Sequence, residues 1–178
     1  TVEVFVSQLD QKIARLFRDS GATLSVAESC SGGLISKRIT DLPGSSGYFN
    51  LGVVTYSNSS KERVLSVPHE LIEINGAVSS EVAVAMAEGV RTLSGSDVTL
   101  ATTGIAGPEG GTAEKPVGTV FIAIASRDGS EVFMHHFEGN REMVREATAE
   151  AALILLLNWF SPGSGSSGNS LKTFINLC

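Results

Sequence analysis

The order of hydrophobic patterns constrains this chain most. Short apolar runs of strand length alternate with segments of helical period through the first two thirds, and two consecutive strands then break the alternation. Val2, Phe5, Val6, Leu9, Ile13, Leu16 and Phe17 recur every three or four residues, which gives one apolar helix face ended by Gly21. Thr23 to Ala27 follows as a short strand, then a helix to about Thr40, a turn-rich loop at Asp41 to Gly47, and a strand from Tyr48 to Tyr56. Asn58 is positioned to cap a short helix through Lys61 to Leu65, and Pro68 and His69 open another. Ser79 reads as the cap of a long helix, Ser80 to Leu93, with Glu81 in its first turn. Val98 to Thr102 is a buried strand by composition, and Thr103 to Pro116 a Gly-rich loop. Val117 to Ser126 and Glu131 to Phe137 form a hairpin through Arg127 to Ser130, and Gly139-Asn140 caps a last helix, Arg141 to Phe160. This order predicts a single three-layer α/β/α domain over residues 1–160, with a mixed, largely parallel sheet. Residues 161–178 read as a mobile Ser/Gly-rich tail, with an apolar end at Leu171 to Cys178 whose docking nothing decides.

Composition fits one such domain of 178 residues and excludes other classes. The chain is 42% hydrophobic and 18% charged, which is too apolar for a disordered chain. Its net charge of −6 offers no basic excess for nucleic acid as the main partner. The longest apolar run, Ala147 to Phe160, is interrupted by Thr148, Glu150 and Asn158 and is too short to span a bilayer, so no membrane partner is expected. Cys30 and Cys178 are too few for a disulfide scaffold, no secretory leader is visible, and a reducing, cytoplasmic location is the expectation. The chain opens on Thr rather than Met, so it reads as processed or cut from something longer, and an organellar address remains compatible.

Chemistry concentrates where strands end. Ser29 lies between a strand and a helix start that carries Gly32 and Gly33. That is where open α/β sheets bind ligands, and free helix N–H groups there suit an oxyanion. Ser29 is therefore either a helix cap or a nucleophile. His69, His135 and His136 show no triad or metal spacing, so no His base and no metal site are expected. Lys61 stands in the first turn of its helix, where a cation is disfavoured and its pKa is lowered. A Lys base must fall from ~10.4 to about 7–8, roughly 4 kcal/mol, more than a helix end supplies, so burial has to provide the rest. Lys61 is otherwise a solvated surface residue. Tyr56, at the end of the preceding strand, is a half-buried aromatic or a group whose hydroxyl passes a proton or holds the Lys–Ser geometry. The loop from Thr103 and Gly104 to Thr112 can present N–H groups to an oxyanion or phosphate, but it lacks the Lys-Ser/Thr ending of a P-loop; a flexible connection is the alternative. Arg141 opens the last helix beside Gly139 and suits a phosphate or carboxylate, or is a surface residue. Cys30 reads as a buried structural thiol rather than a competing nucleophile.

In order, Ala27-Glu28-Ser29-Cys30-Ser31-Gly32-Gly33, Pro43-Gly44-Ser45-Ser46, Val54-Thr55-Tyr56-Ser57-Asn58, Gly76-Ala77-Val78-Ser79, Thr103-Gly104-Ile105-Ala106-Gly107-Pro108, Gly110-Gly111, Glu114-Lys115-Pro116-Val117-Gly118-Thr119-Val120 and Gly139-Asn140-Arg141 resemble the CinA C-terminal domain family from Phe5 to Trp159. The resemblance implies an amidase, without metal or organic cofactor, that converts nicotinamide mononucleotide (NMN) to nicotinate mononucleotide and ammonia. It implies Ser29 as nucleophile, Lys61 as base and Tyr56 beside the dyad. Ser31, Gly32, Gly33, Asn58, Thr103, Gly104 and Arg141 then serve the nucleotide substrate, with Arg141 on the phosphate. It also implies a homo-oligomer. Ser31 stands where the family usually has Thr, Asn140 where it usually has Asp, and Ser59-Ser60 where Glu-Ala is common. Two other functions remain compatible: a catalytically silent or regulatory binding module, and an amidase for another carboxamide, since pocket shape sets that choice.

Overall fold

The computed structural model describes residues 7–160. Val2, Phe5, Val6 and the tail 161–178 lie outside the described residues.

The first helix, α1 (Gln8–Ser20), starts at Ser7, whose hydroxyl accepts the Asp10 N–H, and stops at Gly21 in the left-handed region. Its buried face is Ile13, Ala14 and Phe17. β1 (Leu24–Glu28) is buried along its whole length, as a strand covered on both faces must be. α2 (Leu34–Thr40) leads through a single 3₁₀ turn to β2 (Phe49–Val54). α3 (Asn58–Leu65) is capped by Ser57 rather than Asn58: Ser57 and Ser60 exchange reciprocal side chain–backbone hydrogen bonds, which makes Asn58 the first helical residue. α4 (His69–Asn75) and α5 (Ser80–Ser94) follow, and the Ser79 hydroxyl caps α5 by accepting the Val82 N–H. β3 (Val98–Gly104), β4 (Thr119–Ser126) and β5 (Gly129–His136) complete the sheet. The β4–β5 turn is tighter than the sequence suggests, because Ser126 pairs with Gly129 and only Arg127 and Asp128 lie between them. The last helix, α6 (Arg141–Trp159), is capped by Asn140, which accepts the Met143 N–H.

The sheet order is β2-β1-β3-β4-β5. β1 runs parallel to both β2 and β3, β4 is antiparallel to β3, and β5 returns antiparallel to β4, so only β4 runs against the rest. Strand alternation sorts the core onto two faces. Leu100, Val120, Ile122 and Ile124 pack with Ile13, Phe17, Ile35, Ile39, Leu153 and Leu156 of α1, α2 and α6. Ala27, Ala101, Ala123 and Ala125 lie on the other face, under Val82, Met86 and Val90 of α5 with Leu65 and Ile72. Small side chains on that face let α5 sit close to the sheet. The result is the expected three-layer α/β/α domain. No helix among the described residues is long and apolar enough to cross a membrane.

The topology also fixes where a ligand can go. β1 connects to β2 through α2 on one face, and β2 connects to β3 through α3–α5 on the other. The chain leaves β1 toward β2 and leaves β3 toward β4, in opposite directions, which opens a crevice at the C-terminal ends of β1 and β3. Ser29 follows one of those ends directly, and Thr103 and Gly104 form the other.

Candidate active site

A cleft of about 270 Å³ occupies that crevice, and Ser29, Lys61, Tyr56, Asn58, Thr103, Gly104 and Arg141 all line it. Ser29 is held by its own backbone, whose N–H donates to the Thr102 carbonyl at 3.0 Å. Lys61 is 1% exposed and Ser29 8%. Lys61 Nζ lies 3.1 Å from Ser29 Oγ, 2.9 Å from the Thr55 carbonyl and 3.4 Å from the Tyr56 carbonyl. Both carbonyls can only accept. A neutral amine has two hydrogens and one lone pair, so donating to the two carbonyls leaves the lone pair facing the Ser29 hydroxyl. Burial pushes the Lys61 pKa down; the opposing influence is Cys30. That thiol is itself pushed up to about 12 by burial, so at neutral pH it carries no charge to hold the Lys61 proton. The burial that helix position alone could not supply is present.

The structure separates Ser31, Gly32 and Gly33 from the other predicted residues: none of the three lines the cleft. Ser31 is fully buried, and its hydroxyl lies 2.7 Å from Glu28 Oε2 and 2.8 Å from Thr102 Oγ1. The Gly33 N–H donates to Glu28 Oε2 at 3.0 Å, and the Gly32 N–H to the Ser29 carbonyl at 3.1 Å. Of the N–H groups expected to receive an oxyanion at the start of α2, those of Gly32 and Gly33 are therefore already taken. Glu28, whose role no sequence motif suggests, takes the Gly33 amide. Its fully buried carboxylate also accepts the Ile35 and Ser36 N–H groups and the Ser36 hydroxyl. The signal was a Glu ending a buried strand immediately before a helix start, where an anion is favoured.

Tyr56 takes a different part from the one expected of its side chain. The residue is 57% exposed, and its hydroxyl accepts a 2.6 Å hydrogen bond from Arg141 Nη2, while only its carbonyl approaches Lys61. Arg141 Nη1 donates to the Gly107 carbonyl at 2.8 Å, so one guanidinium ties the Gly-rich loop to the end of β2. The Thr103 hydroxyl is spent on the Ala77 carbonyl at 2.8 Å, which joins β3 to the approach to α5. Asn58 is exposed, and its side chain bonds to no described residue. The starts of three helices border the cleft: Asn58 of α3, Ala77 and Val78 before α5, and Arg141 of α6. Each contributes partial positive charge, which adds to Arg141; Glu109 is the acidic side chain on the lining. None of the three His lines the cleft. Among the described residues no three His, Cys, Asp or Glu side chains cluster as metal ligands.

The CinA C-terminal domain model matches residues 6–160. CinA-like proteins of Geotalea uraniireducens and Geotalea daltonii are 59% and 60% identical over 82% and 85% of this chain. The chain spans about a third of the length of these curated relatives, 34% and 36%. Among solved structures, the competence/damage inducible protein CihA from Agrobacterium tumefaciens is 38% identical, with a TM-score of 0.82 over 88% of this chain and 99% of that one. A competence-damaged protein (CinA) superfamily protein from Klebsiella pneumoniae is 33% identical, with a TM-score of 0.84 over 88% of this chain and 98% of that one.

Proposed function

Because the chain belongs to the CinA C-terminal domain family, we propose that it hydrolyses the carboxamide of nicotinamide mononucleotide to nicotinate mononucleotide and ammonia through a Ser29–Lys61 dyad. The observation that carries this reading is the 3.1 Å approach of a buried Lys61 amine to Ser29 Oγ. A surface Lys gains little from such a pairing, whereas a base needs the lowered pKa that burial causes.

In the proposed reaction Lys61 takes the Ser29 proton as Ser29 Oγ bonds to the carboxamide carbon. The tetrahedral intermediate carries its charge on the former carbonyl oxygen. With the Gly33 and Ile35 N–H groups at the start of α2 on Glu28 and the Ile105 N–H on the Thr119 carbonyl, the Ala106 and Gly107 N–H groups of the Gly-rich loop are the donors for it. Lys61 returns the proton to nitrogen, the C–N bond breaks and ammonia leaves. Water then gives a proton to Lys61 and adds to the acyl carbon. Collapse releases nicotinate mononucleotide and restores Ser29. Arg141 and the adjoining helix starts hold the phosphate.

The test is ammonia release from NMN by the purified chain and by Ser29→Ala. Release by the first and none by the second is expected. Equal release from both overturns the dyad, and no release from a folded wild-type chain transfers the assay to other carboxamides and to a binding role.

A further inference from the structure

Arg145 plays no part in the reaction just described, and it touches the turn that presents Ser29. Its Nε and Nη2 donate to the Ser31 carbonyl at 3.3 and 3.1 Å, a two-pronged contact that links residues 114 positions apart. The guanidinium lies against the turn. Gly32 has φ +63°, and a Cβ there would meet Arg145 Nη2 at 3.1 Å. A side chain at residue 32 would therefore have to displace the guanidinium by a few tenths of an ångström, on a backbone that already favours glycine. On its inner side the same turn is held by Glu28 through the Ser31 hydroxyl and the Gly33 N–H. Among the described residues Arg145 pairs with no carboxylate, so the carbonyl it holds is its principal polar contact. It stands one helical turn after Arg141, and positions four apart share a helix face. One end of α6 thus reaches both the cleft, through Arg141, and the nucleophile's turn, through Arg145.

We propose that Arg145 is a positioning residue: its grip on the Ser31 carbonyl fixes the Ser29–Gly33 turn so that Ser29 Oγ stays against Lys61, and its place on α6 ties that turn to the Arg141 end of the cleft. The proposal rests on the reading of Ser29 as nucleophile. A misplacement of about 1 Å at a reacting atom costs on the order of 10²-fold in rate. Lysine cannot reproduce the fork, because its ammonium is a single point donor on a flexible stem.

The experiment compares wild type, Arg145→Ala, Arg145→Lys and Arg141→Ala in two assays. One is ammonia release from NMN. The other is the rate at which a small fluorophosphonate, lacking any nucleotide, labels Ser29, located by peptide mass spectrometry. Arg145→Ala is expected to lower kcat about 10²-fold with KM unchanged, and to slow Ser29 labelling by a similar factor. Added ethylguanidinium is expected to restore part of both, an effect that a loss of general stability does not produce. Arg141→Ala is expected to raise KM for the nucleotide, which Arg145→Ala does not. Arg145→Lys carries the comparison if the Ala variant does not fold. Labelling of the Arg145 variants at the wild-type rate overturns the proposal. If wild type is labelled at Ser29 but releases no ammonia from NMN, the substrate assignment fails and the labelling rates still decide the role of Arg145. If Ser29 of wild type is not labelled, the nucleophile reading fails and the proposal with it.

Discussion

Lys61 reaches Ser29 from a different crossover: its helix follows β2, the turn carrying Ser29 follows β1, and the two atoms meet 3.1 Å apart across 32 residues of sequence. The parallel pairing of β1 with β2 sets this contact, since Glu28 stands opposite Val54 and both chains turn out of the sheet at the same level. The amine is then sealed by carbonyls of the strand-to-helix turn at Thr55 and Tyr56.

Replacing Lys61 by Met is expected to abolish the base and leave the fold intact. Activity should fall by about 10²–10⁴-fold. Burial lowers the Lys61 pKa in the folded chain, so the folded state resists the proton more than the unfolded state does. Stability from this group therefore falls as pH drops from the unfolded value toward the lowered one, and the reaction rate rises as pH climbs through the lowered one. Lys61→Met removes the buried amine, so its melting temperature near neutral pH should equal or exceed that of wild type. Calorimetry checks this, and a large fall in melting temperature would contradict it.

Arg141→Ala is expected to raise KM for the phosphate-bearing substrate about 10- to 100-fold with a smaller effect on kcat, because a charge-assisted contact contributes roughly 1.5–3 kcal/mol. Tyr56→Phe removes only the hydroxyl that receives Arg141 Nη2 and should give a weaker effect of the same kind. Steady-state kinetics on the two variants separate this from a role of Tyr56 in the proton transfer, which would lower kcat instead.

Glu28→Ala should be the most damaging single change near the site. It strands the Gly33, Ile35 and Ser36 N–H groups and two hydroxyls in a buried place. With each unsatisfied donor costing about 1–3 kcal/mol, a loss of at least about 3 kcal/mol is expected. For a domain of this size that is a fall in melting temperature of roughly 6–12 °C. A thermal melt of the variant measures it directly.

These residues also mark what the sequence made legible. The alternation of strands and helices, the two faces of the sheet and the Ser29, Lys61 and Arg141 positions are local patterns and could be read from the chain. What stayed hidden depends on which partner wins a competition. Both Ser57 and Asn58 are good caps, and the reciprocal bonds with Ser60 settle the contest. Helix-start amides look free in a sequence until a carboxylate such as Glu28 is placed on them. Arg141 with Tyr56 and Arg145 with Ser31 are contacts across 85 and 114 residues, which no local spacing encodes.

Acid sensitivity should trace to His135. Burial lowers its pKa, and its Nε2 is buried without a hydrogen-bond partner. As pH falls below about 6.5 the unfolded imidazole takes a proton that the folded one resists, so stability drops. The exposed His69 works in the opposite sense, since Glu62 raises its pKa and favours the protonated folded form; solvent screens that pair. His135→Phe is therefore expected to flatten the loss of melting temperature between neutral pH and pH 5. An unchanged slope would place the sensitivity elsewhere.

The most direct measurement of the central claim is the mass of the protein quenched in acid during turnover of NMN. An adduct of the substrate acyl group, mapped to the peptide carrying Ser29 and missing in Ser29→Ala, is predicted. Ammonia release that proceeds with no adduct on Ser29 at any quench time, and that persists in Ser29→Ala, would contradict the account.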